Sequence, residues 1–317
     1  MSKIRVALIG AGGMANRVHY PSLVEFGDVE IVGLCDVIEE KLKATAQKFK
    51  IEKTFTNYKK MLEETNPQAV YILMPPHHLF DLVIHCLNQK LHVFIEKPPG
   101  INTEQTMQMA LLAEKNKCLT MTGFQRRFSP LSVAAKKKVD ERGLVQCTAF
   151  FVKNYSGGPY YAGATDILTC DAIHAVDNLR WMGGEVKKVV SDVRAIDTTY
   201  NNVFNAMVKF ESGAVGFLVA NWIVGKRIFS IEMHGKGISA FVEPEVKSII
   251  YKDNKEEGEV TLAKDAAESA ELYKIAGFFA ENRHFIDCVK ENKQTITNFS
   301  DAVKTMELVD RIYHSQM

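Results

Sequence analysis

A glycine-rich segment near the start of the chain is the first feature that could do chemistry. Gly10-Ala11-Gly12-Gly13-Met14-Ala15 directly follows the apolar run 4–9 and matches the pattern G-x-G-x-x-G/A. In that pattern the first glycine allows a tight turn, the second lets the backbone approach a pyrophosphate, and the small last residue lets a helix pack closely on the strand. The pattern alone is as typical of a structural turn as of a phosphate-binding site. A second sequence feature is therefore needed to distinguish the two.

Asp36 is that second element. It ends the next apolar run, close to the distance from Gly10 at which such folds place an acid on the adenosine ribose hydroxyls. A carboxylate there repels a 2′-phosphate, and its neighbours Val37 and Ile38 bring no positive charge to offset the repulsion. We therefore expect NAD as cofactor, with NADP disfavoured. Asp36 could also serve as the N-cap of a helix that begins at residue 39.

The first 124 residues have the pattern needed to position these groups. Short, mostly β-branched runs alternate with segments whose apolar residues recur at helical spacing. Several runs are apolar throughout, which is typical of buried parallel strands, so we expect a doubly wound sheet. The predicted strands are 4–9, 30–35, 69–73, 93–95 and 119–122, and the predicted helices are 39–49, 58–64, 79–89 and 104–116.

After residue 123 the pattern changes to α+β. Gly and charged residues interrupt a long series of strand-like runs at hairpin spacing, which indicates a large, open and mostly antiparallel sheet. The polar run 252–259 predicts an exposed turn between two of its strands. We expect domains at 1–122 and 123–317. In the second domain the predicted strands are 204–209, 215–222, 228–234 and 239–242, and the predicted helices are 130–142, 171–181, 280–290 and 300–314.

Composition excludes several function classes. With 39 basic and 38 acidic side chains the net charge is +1, so no long-range field attracts nucleic acid or an acidic membrane surface. The longest uncharged apolar segment, 213–225, falls short of the roughly 20 residues that span a bilayer, so we expect no membrane anchor. Six scattered cysteines without a C-x-x-C pair predict buried thiols in the reducing cytoplasm, and no metal site.

A resemblance to a known family rests on three further motifs. Ile95-Glu96-Lys97-Pro98 ends the fourth predicted strand, Met74-Pro75-Pro76-His77 ends the third, and Gly123-Phe124-Gln125-Arg126-Arg127-Phe128 follows the fifth. With the glycine segment, these motifs resemble the glucose-fructose oxidoreductase, inositol dehydrogenase and rhizopine-catabolism family (Gfo/Idh/MocA). The resemblance extends along the chain through 213–216, Trp222 and the closing segment 285–313.

The resemblance implies an NAD(P)-dependent dehydrogenase of sugars, polyols or related hydroxy compounds. Its first domain would be a Rossmann domain, and its second would bind substrate and form the oligomer. It implies Lys97 at the reacting hydroxyl and His174 as proton acceptor, with Asp171 on the same helix face. The family's usual acid lies four residues before the histidine, where this chain has Cys170. The predicted cofactor-binding residues are Gly10, Gly12, Gly13, Met14, Asp36, Met74, Pro75, His77, Glu96, Lys97, Gln125 and Arg126.

The implied mechanism uses ordinary acid–base chemistry. The Lys97 ammonium stabilises alkoxide character at the hydroxyl oxygen, and a neutral imidazole at His174, ordinarily with a pKa of ~6.5, accepts the proton. Asp171 could orient that imidazole or bind a neighbouring hydroxyl, and Glu96 could support Lys97. Each residue also has a plain structural explanation, which the combined motifs outweigh. Arg126 and Arg127 could hold substrate or cofactor, or could be only surface ion-pair partners. For His19, Tyr155, Tyr160 and Tyr161 a structural role is at least as plausible as a site role.

Two other functions remain open at this point. A sensor or regulator could keep the nucleotide-binding fold without chemistry, as the altered acid position and the altered Met74-Pro75-Pro76 motif allow. Retention of both Lys97 and His174 argues against it, because a binding-only protein has no proton to move. A reductase of a cyclic or aromatic carbonyl would run the same chemistry in reverse. An apolar open sheet face predicts a homodimer or homotetramer.

Overall fold

Six parallel strands form the first sheet of the chain, whose computed structural model describes residues 3–317. The strand order is β3-β2-β1-β4-β5-β6, and every neighbouring pair is parallel. Since the order reverses between β1 and β4, ligands are expected beyond the carboxyl ends of these strands. The strands are β1 Ile4–Ile9, β2 Val29–Cys35, β3 Thr54–Phe55, β4 Ala69–Ile72, β5 His92–Glu96 and β6 Thr120–Gly123.

Helices connect these strands, and the predicted doubly wound fold is confirmed. A π-helical turn, Ala15–His19, follows the glycine segment and continues into the first helix. Asn57 and Asn102 each cap a helix by accepting backbone N–H bonds with the side chain. The sequence patterns missed β3, which has only two residues. The helices are α1 Tyr20–Glu25, α2 Glu39–Phe49, α3 Tyr58–Thr65, α4 Leu79–Asn88 and α5 Thr103–Lys115.

The second sheet has eight strands in the order β14-β13-β12-β11-β7-β10-β9-β8. Among the eight strands of this sheet, as far as residues 3–317 show, β7 and β10 form a parallel pair and the other neighbouring strands are antiparallel, so the predicted mostly antiparallel sheet is confirmed. The turn predicted at 252–259 joins β13 to β14. The strands are β7 Leu144–Asn154, β8 Val186–Arg194, β9 Val203–Phe210, β10 Val215–Asn221, β11 Ile223–Gly235, β12 Ile238–Glu243, β13 Lys247–Lys252 and β14 Glu259–Leu262.

The two faces of this sheet differ in their exposure to solvent. Burial alternates along β10, and the face carrying Cys147, Ala149 and Phe151 of β7 is buried. The other face carries Phe241 and Met207, which are exposed apolar side chains. The remaining helices are α6 Pro130–Asp140, α7 Ile173–Gly183, α8 Ala263–Ala266, α9 Leu272–Ile275, α10 Phe278–Glu291 and α11 Phe299–His314.

The chain forms two compact units that are not separated at a single position. The first unit contains the described residues up to Phe124 together with Phe278–Val303, and the second contains Gln125–Gly277 and Lys304–Met317. Helix α10 joins the first unit because Phe285 packs edge-on against Tyr71 and Phe94. The bounds of the two compact units therefore differ from the predicted domain boundary between residues 122 and 123. The predicted division of roles between those two segments stays a prediction.

Two further predictions concern the whole described chain. All six cysteines are buried thiols, as predicted. Within residues 3–317, none of the helices combines the length and the apolar character that crossing a bilayer requires.

Candidate functional site

Gly10 ends β1 in a backbone conformation that favours glycine. Its φ is +104°, and its N–H donates to the Cys35 carbonyl at 2.8 Å. A Cβ at this position would lie 2.5 Å from the Leu73 carbonyl oxygen, and that oxygen belongs to backbone that cannot rotate away. Gly10 therefore makes the tight turn expected of the first glycine.

The rest of the glycine segment is open on one side. A Cβ on Gly12 or Gly13 would meet nothing within 4 Å, and Gly13 and Met14 are exposed. The segment is held from its other side, where Asn16 donates its amide N–H to the Ala11 carbonyl at 3.0 Å. Backbone with open space in front of it, leading into a helical turn, suits a pyrophosphate.

Asp36 is joined to the glycine segment. Its Oδ2 accepts the Ala11 N–H at 2.6 Å, and its Oδ1 accepts the Ile38 N–H at 2.8 Å. The N-cap of α2 is Ile38 and has no side-chain cap, so the capping alternative for Asp36 is wrong. Asp36 forms no ion pair with any residue in the range 3–317. Its half-buried carboxylate keeps lone pairs for a ribose hydroxyl.

Met74, Pro75 and His77 follow β4 at the same edge of the sheet. Met74 and Pro75 are half-buried, and the Met74 sulfur lies 3.1 Å from the position of a Cβ on Gly10. His77 is exposed in the 3₁₀ turn Pro76–His78, with its ring centroid 4.0 Å from that of His78. The structure thus brings Met74 beside the glycine segment.

Glu96 and Lys97 end β5 at this edge too. Glu96 Oε2 accepts the Lys97 backbone N–H at 3.0 Å, and Glu96 Oε1 lies 2.7 Å from His19 Nε2. Lys97 is half-buried and precedes a cis peptide bond to Pro98. Glu96 supports the backbone of Lys97, as expected. His19 is fully buried behind Glu96, so the structural alternative for His19 is correct.

These residues fit a dinucleotide. Because the strands are parallel, the glycine segment, Asp36, Met74 and Lys97 all leave the sheet at one edge. The open glycine backbone would hold the pyrophosphate, and the Asp36 carboxylate would hold the adenosine ribose. A bound nicotinamide would supply the hydride acceptor or donor.

The predicted residues of the second unit lie where a π-helical turn, Leu168–Ala172, enters α7. His174 is 7% exposed. The Asp171 carboxylate accepts the Tyr160 hydroxyl at 2.8 Å and forms an ion pair with Lys153. Lys153 Nζ also donates to the Tyr160 oxygen at 2.8 Å. Burial and the nearby Asp171 charge raise the pKa of Tyr160, so its hydroxyl stays protonated and acts as a donor.

The sequence analysis did not identify Lys153 as a candidate site residue. Aromatic rings surround its ammonium, with centroids 4.9 Å away at Tyr155 and 5.1 Å at Trp222. A signal for it existed: Lys153 continues the alternation of Cys147, Ala149 and Phe151 on the buried face of β7. A charged residue at the end of a buried face is a site candidate, because burial of a lysine needs a partner.

The arginines after β6 have separate roles. Arg127 Nε donates to Asp177 at 2.7 Å, and both side chains are buried, so Arg127 forms an ion pair, but in the interior and not at the surface as predicted. Arg126 lies 3.7 Å above the Phe229 ring and 3.5 Å from Glu245, and burial lowers its pKa to about 10. Gln125 is buried. Cofactor binding by Gln125 and Arg126 stays a prediction.

Comparisons with known proteins agree with this fold. Residues 4–124 match the model of an oxidoreductase family with an NAD-binding Rossmann fold, and residues 161–317 match the family's C-terminal alpha/beta domain. Myo-inositol 2-dehydrogenase of Thermotoga maritima is 26% identical over 306 residues, which cover 93% of this chain and 88% of that protein. The scyllo-inositol 2-dehydrogenase (NAD(+)) of Bacillus subtilis is 24% identical and covers 96% and 92%.

A solved structure shows the same fold. Levoglucosan dehydrogenase, in complex with NADH and levoglucosan, superposes with a TM-score of 0.87 at 17% identity, covering 99% of this chain and 97% of that chain. The two family matches together span most of the sequence. This chain therefore belongs to the Gfo/Idh/MocA family of oxidoreductases, with an NAD-binding Rossmann domain at its start.

Proposed function

We propose that this protein is an NAD-dependent dehydrogenase that moves a hydride between the nicotinamide and a hydroxyl-bearing carbon of a sugar or polyol. The observation that carries the proposal is the common sheet edge at which the open glycine segment, Asp36 and Lys97 end their strands. One edge thus presents both a binding surface for the nucleotide and an ammonium group that can donate a hydrogen bond to the substrate hydroxyl. The inositol and levoglucosan dehydrogenases among the relatives support the substrate class.

Cofactor choice follows from Asp36. Its carboxylate is fixed by two backbone N–H groups and has no cation beside it in the described chain. A 2′-phosphate at this point would meet an uncompensated negative charge, whereas ribose hydroxyls can donate to the free lone pairs. NAD is therefore the preferred cofactor. Gly10, Gly12, Gly13 and Met14 hold its pyrophosphate, and we assign Met74, Pro75, His77, Glu96, Gln125 and Arg126 to its remaining contacts.

Lys97 and His174 have separate jobs in the proposed reaction. The Lys97 ammonium donates to the substrate hydroxyl oxygen and stabilises the negative charge that develops there. The His174 imidazole accepts the proton. Substitution His174→Ala should therefore abolish the rise of the oxidation rate with pH, and an unchanged profile would move the base role to another residue.

Asp171 acts in this proposal as a positioning residue. Its carboxylate already accepts hydrogen bonds from Lys153 and Tyr160, so it is not a free base. The Lys153–Asp171–Tyr160 group fixes the π-helical turn that leads to His174, and its carboxylate can also orient the imidazole or a substrate hydroxyl.

Assembly and location complete the proposal. The face of the second sheet that carries Phe241 and Met207 presents apolar side chains to solvent, and pairing with a second copy would cover them. We therefore propose a homodimer or homotetramer formed through this face. Six buried thiols fit a reducing compartment, the cytoplasm.

A substrate screen tests the proposed function. The protein is incubated with NAD and a panel of inositols, hexoses, anhydrosugars and their acids while the absorbance of reduced nicotinamide is followed. We expect at least one neutral polyol or sugar to be oxidised. Tight NAD binding without turnover on the whole panel, in either direction, would point instead to a binding-only protein.

A further inference from the structure

A buried acid cluster lies behind Lys97 in the first unit. It consists of His19, Glu96 and Glu281, and one ligand atom from each lies within 4.8 Å of the others. His19 and Glu281 are fully buried, and the Glu96 side chain is 13% exposed. Two carboxyl groups this close in an apolar interior cannot both be ionised without a compensating positive charge.

Glu281 is the member without a hydrogen bond. Neither of its carboxyl oxygens has a partner among the described residues, although both are inaccessible to solvent. The surroundings are aromatic, since Tyr71 stacks on Phe94 with centroids 4.5 Å apart and Phe94 lies 5.3 Å from the His19 ring. Burial raises the pKa of Glu281 well above its ordinary value, and the charge of Glu96 raises it further. Arg283, two positions further along the same helix, is paired with Asp28 and Asp287.

Within the cluster His19 forms a hydrogen bond with Glu96 and none with Glu281. Asn282 Nδ2 donates to the Phe278 carbonyl at 2.6 Å and lies 3.2 Å from His19 Nδ1. His19 Nε2 lies 2.7 Å from Glu96 Oε1, which is a hydrogen-bond distance. Both Glu96 oxygens are engaged, because Oε2 also accepts the Lys97 N–H, whereas Glu281 has no hydrogen bond or cation within residues 3–317 that would stabilise a negative charge. The second carboxyl group has to be neutral.

The spacing favours a proton over a metal ion in this cluster. Two ligand atoms on a tetrahedral zinc ion, each about 2.0–2.1 Å from it, would lie more than 3 Å apart. His19 Nε2 and Glu96 Oε1 are 2.7 Å apart, which is a direct hydrogen bond. The Glu281 side chain ends in a soft torsion, so a hydroxyl on it can turn toward Glu96.

We infer that Glu281 is a protonated acid that donates to the Glu96 carboxylate and so fixes the turn at which Lys97 leaves β5. Glu96 then receives donors from three directions: His19, the Lys97 backbone and Glu281. Ionisation of Glu281 would place two like charges side by side and push Glu96 out of the arrangement that holds Lys97. Glu281 is a positioning residue that touches neither substrate nor cofactor, and its kinetic effect rests on the proposed function of Lys97.

A pair of substitutions at one position tests this inference. Glu281→Gln keeps a donor of nearly the same shape, whereas Glu281→Met keeps the shape and removes the donor. We expect Glu281→Gln to keep turnover within a few-fold of wild type, and Glu281→Met to lower it about 10- to 100-fold with an unchanged NAD Kd. The Tm of Glu281→Met should not fall, because an apolar side chain replaces a buried acid without partners. An equal loss of turnover in both variants would overturn the inference. So would a loss of turnover in Glu281→Met that is accompanied by a lower Tm.

Infrared spectroscopy decides the protonation state without any substrate. At pH 7.5 the wild-type protein should show the carbonyl stretch of a protonated carboxylic acid, and Glu281→Gln should lose it. The matched control Glu291→Gln, an exposed acid at the end of the same helix, should keep it. Absence of the band in wild type, or a stoichiometric divalent metal that Glu281→Gln loses, would refute the inference. If no substrate is oxidised, the proposed function fails while the infrared result still stands.

Discussion

Replacing Gly10 or Gly12 by alanine should separate the stability of the glycine segment from its nucleotide binding. At Gly10 the alanine would have to adopt a φ of +104° and place its Cβ 2.5 Å from the Leu73 carbonyl oxygen. Each effect costs about 1–3 kcal/mol, so we expect a loss of roughly 2–6 kcal/mol in the free energy of unfolding. At Gly12 a Cβ meets nothing in the protein within 4 Å, and the free energy should change by no more than about 0.5 kcal/mol.

Gly12→Ala, which should leave the stability of the protein nearly unchanged, should weaken nucleotide binding. Its methyl group would occupy the space in which the pyrophosphate approaches the backbone, so Gly12→Ala should weaken NAD binding about tenfold, or about 1.4 kcal/mol. Thermal unfolding without nucleotide measures the first effect, and calorimetric titration with NAD measures the second. A Gly12→Ala variant that binds NAD as well as wild type, or one as unstable as Gly10→Ala, would refute this account of the segment.

Three further outcomes follow from other parts of the molecule. Asp36→Ala should narrow the preference for NAD over NADP measured by titration, because it removes the repulsion of the 2′-phosphate; an unchanged ratio would mean that Asp36 does not face the ribose. Since the folded pKa of Glu281 lies above its unfolded value of 4.5, wild-type stability should fall as pH rises from 4.5 toward the folded pKa, and Glu281→Gln should remove that slope in pH-dependent denaturation. Light scattering at micromolar concentration should report at least a dimer, which Phe241→Glu should weaken; a monomeric mass for wild type would contradict assembly through the sheet face.

The elements nearest the cofactor were the most predictable from sequence. Strand β1 and helix α2 have the predicted bounds, because an apolar run and a clean helical period each end at a turn signal. Strand β3 was missed because two residues carry no periodicity. The helix after residue 278 was predicted, but its amphipathic pattern does not say which sheet its apolar face meets. That choice depends on the aromatic contacts of Phe285 with the first sheet.

The parts of the candidate site that belong to sequence motifs could be predicted from the sequence. The parts that depend on the burial of a charged side chain could not. Lys97, Asp36 and the glycine segment follow strand ends, and the order of parallel strands brings those ends to one edge. Lys153 and Glu281 were missed because charged residues in strands and helices usually face solvent. Only the packed structure shows that the Glu281 carboxyl group is sealed in an aromatic interior.

The most direct test of the central claim compares NAD binding with turnover in Lys97→Met, using the substrate identified for wild type. The substitution keeps the backbone N–H that Glu96 accepts and removes only the ammonium. We predict an NAD Kd close to that of wild type and a turnover number lower by on the order of 100-fold or more, the scale of losing one donor to a developing negative charge. Near-wild-type turnover in Lys97→Met would contradict the assignment of Lys97 to the reacting hydroxyl.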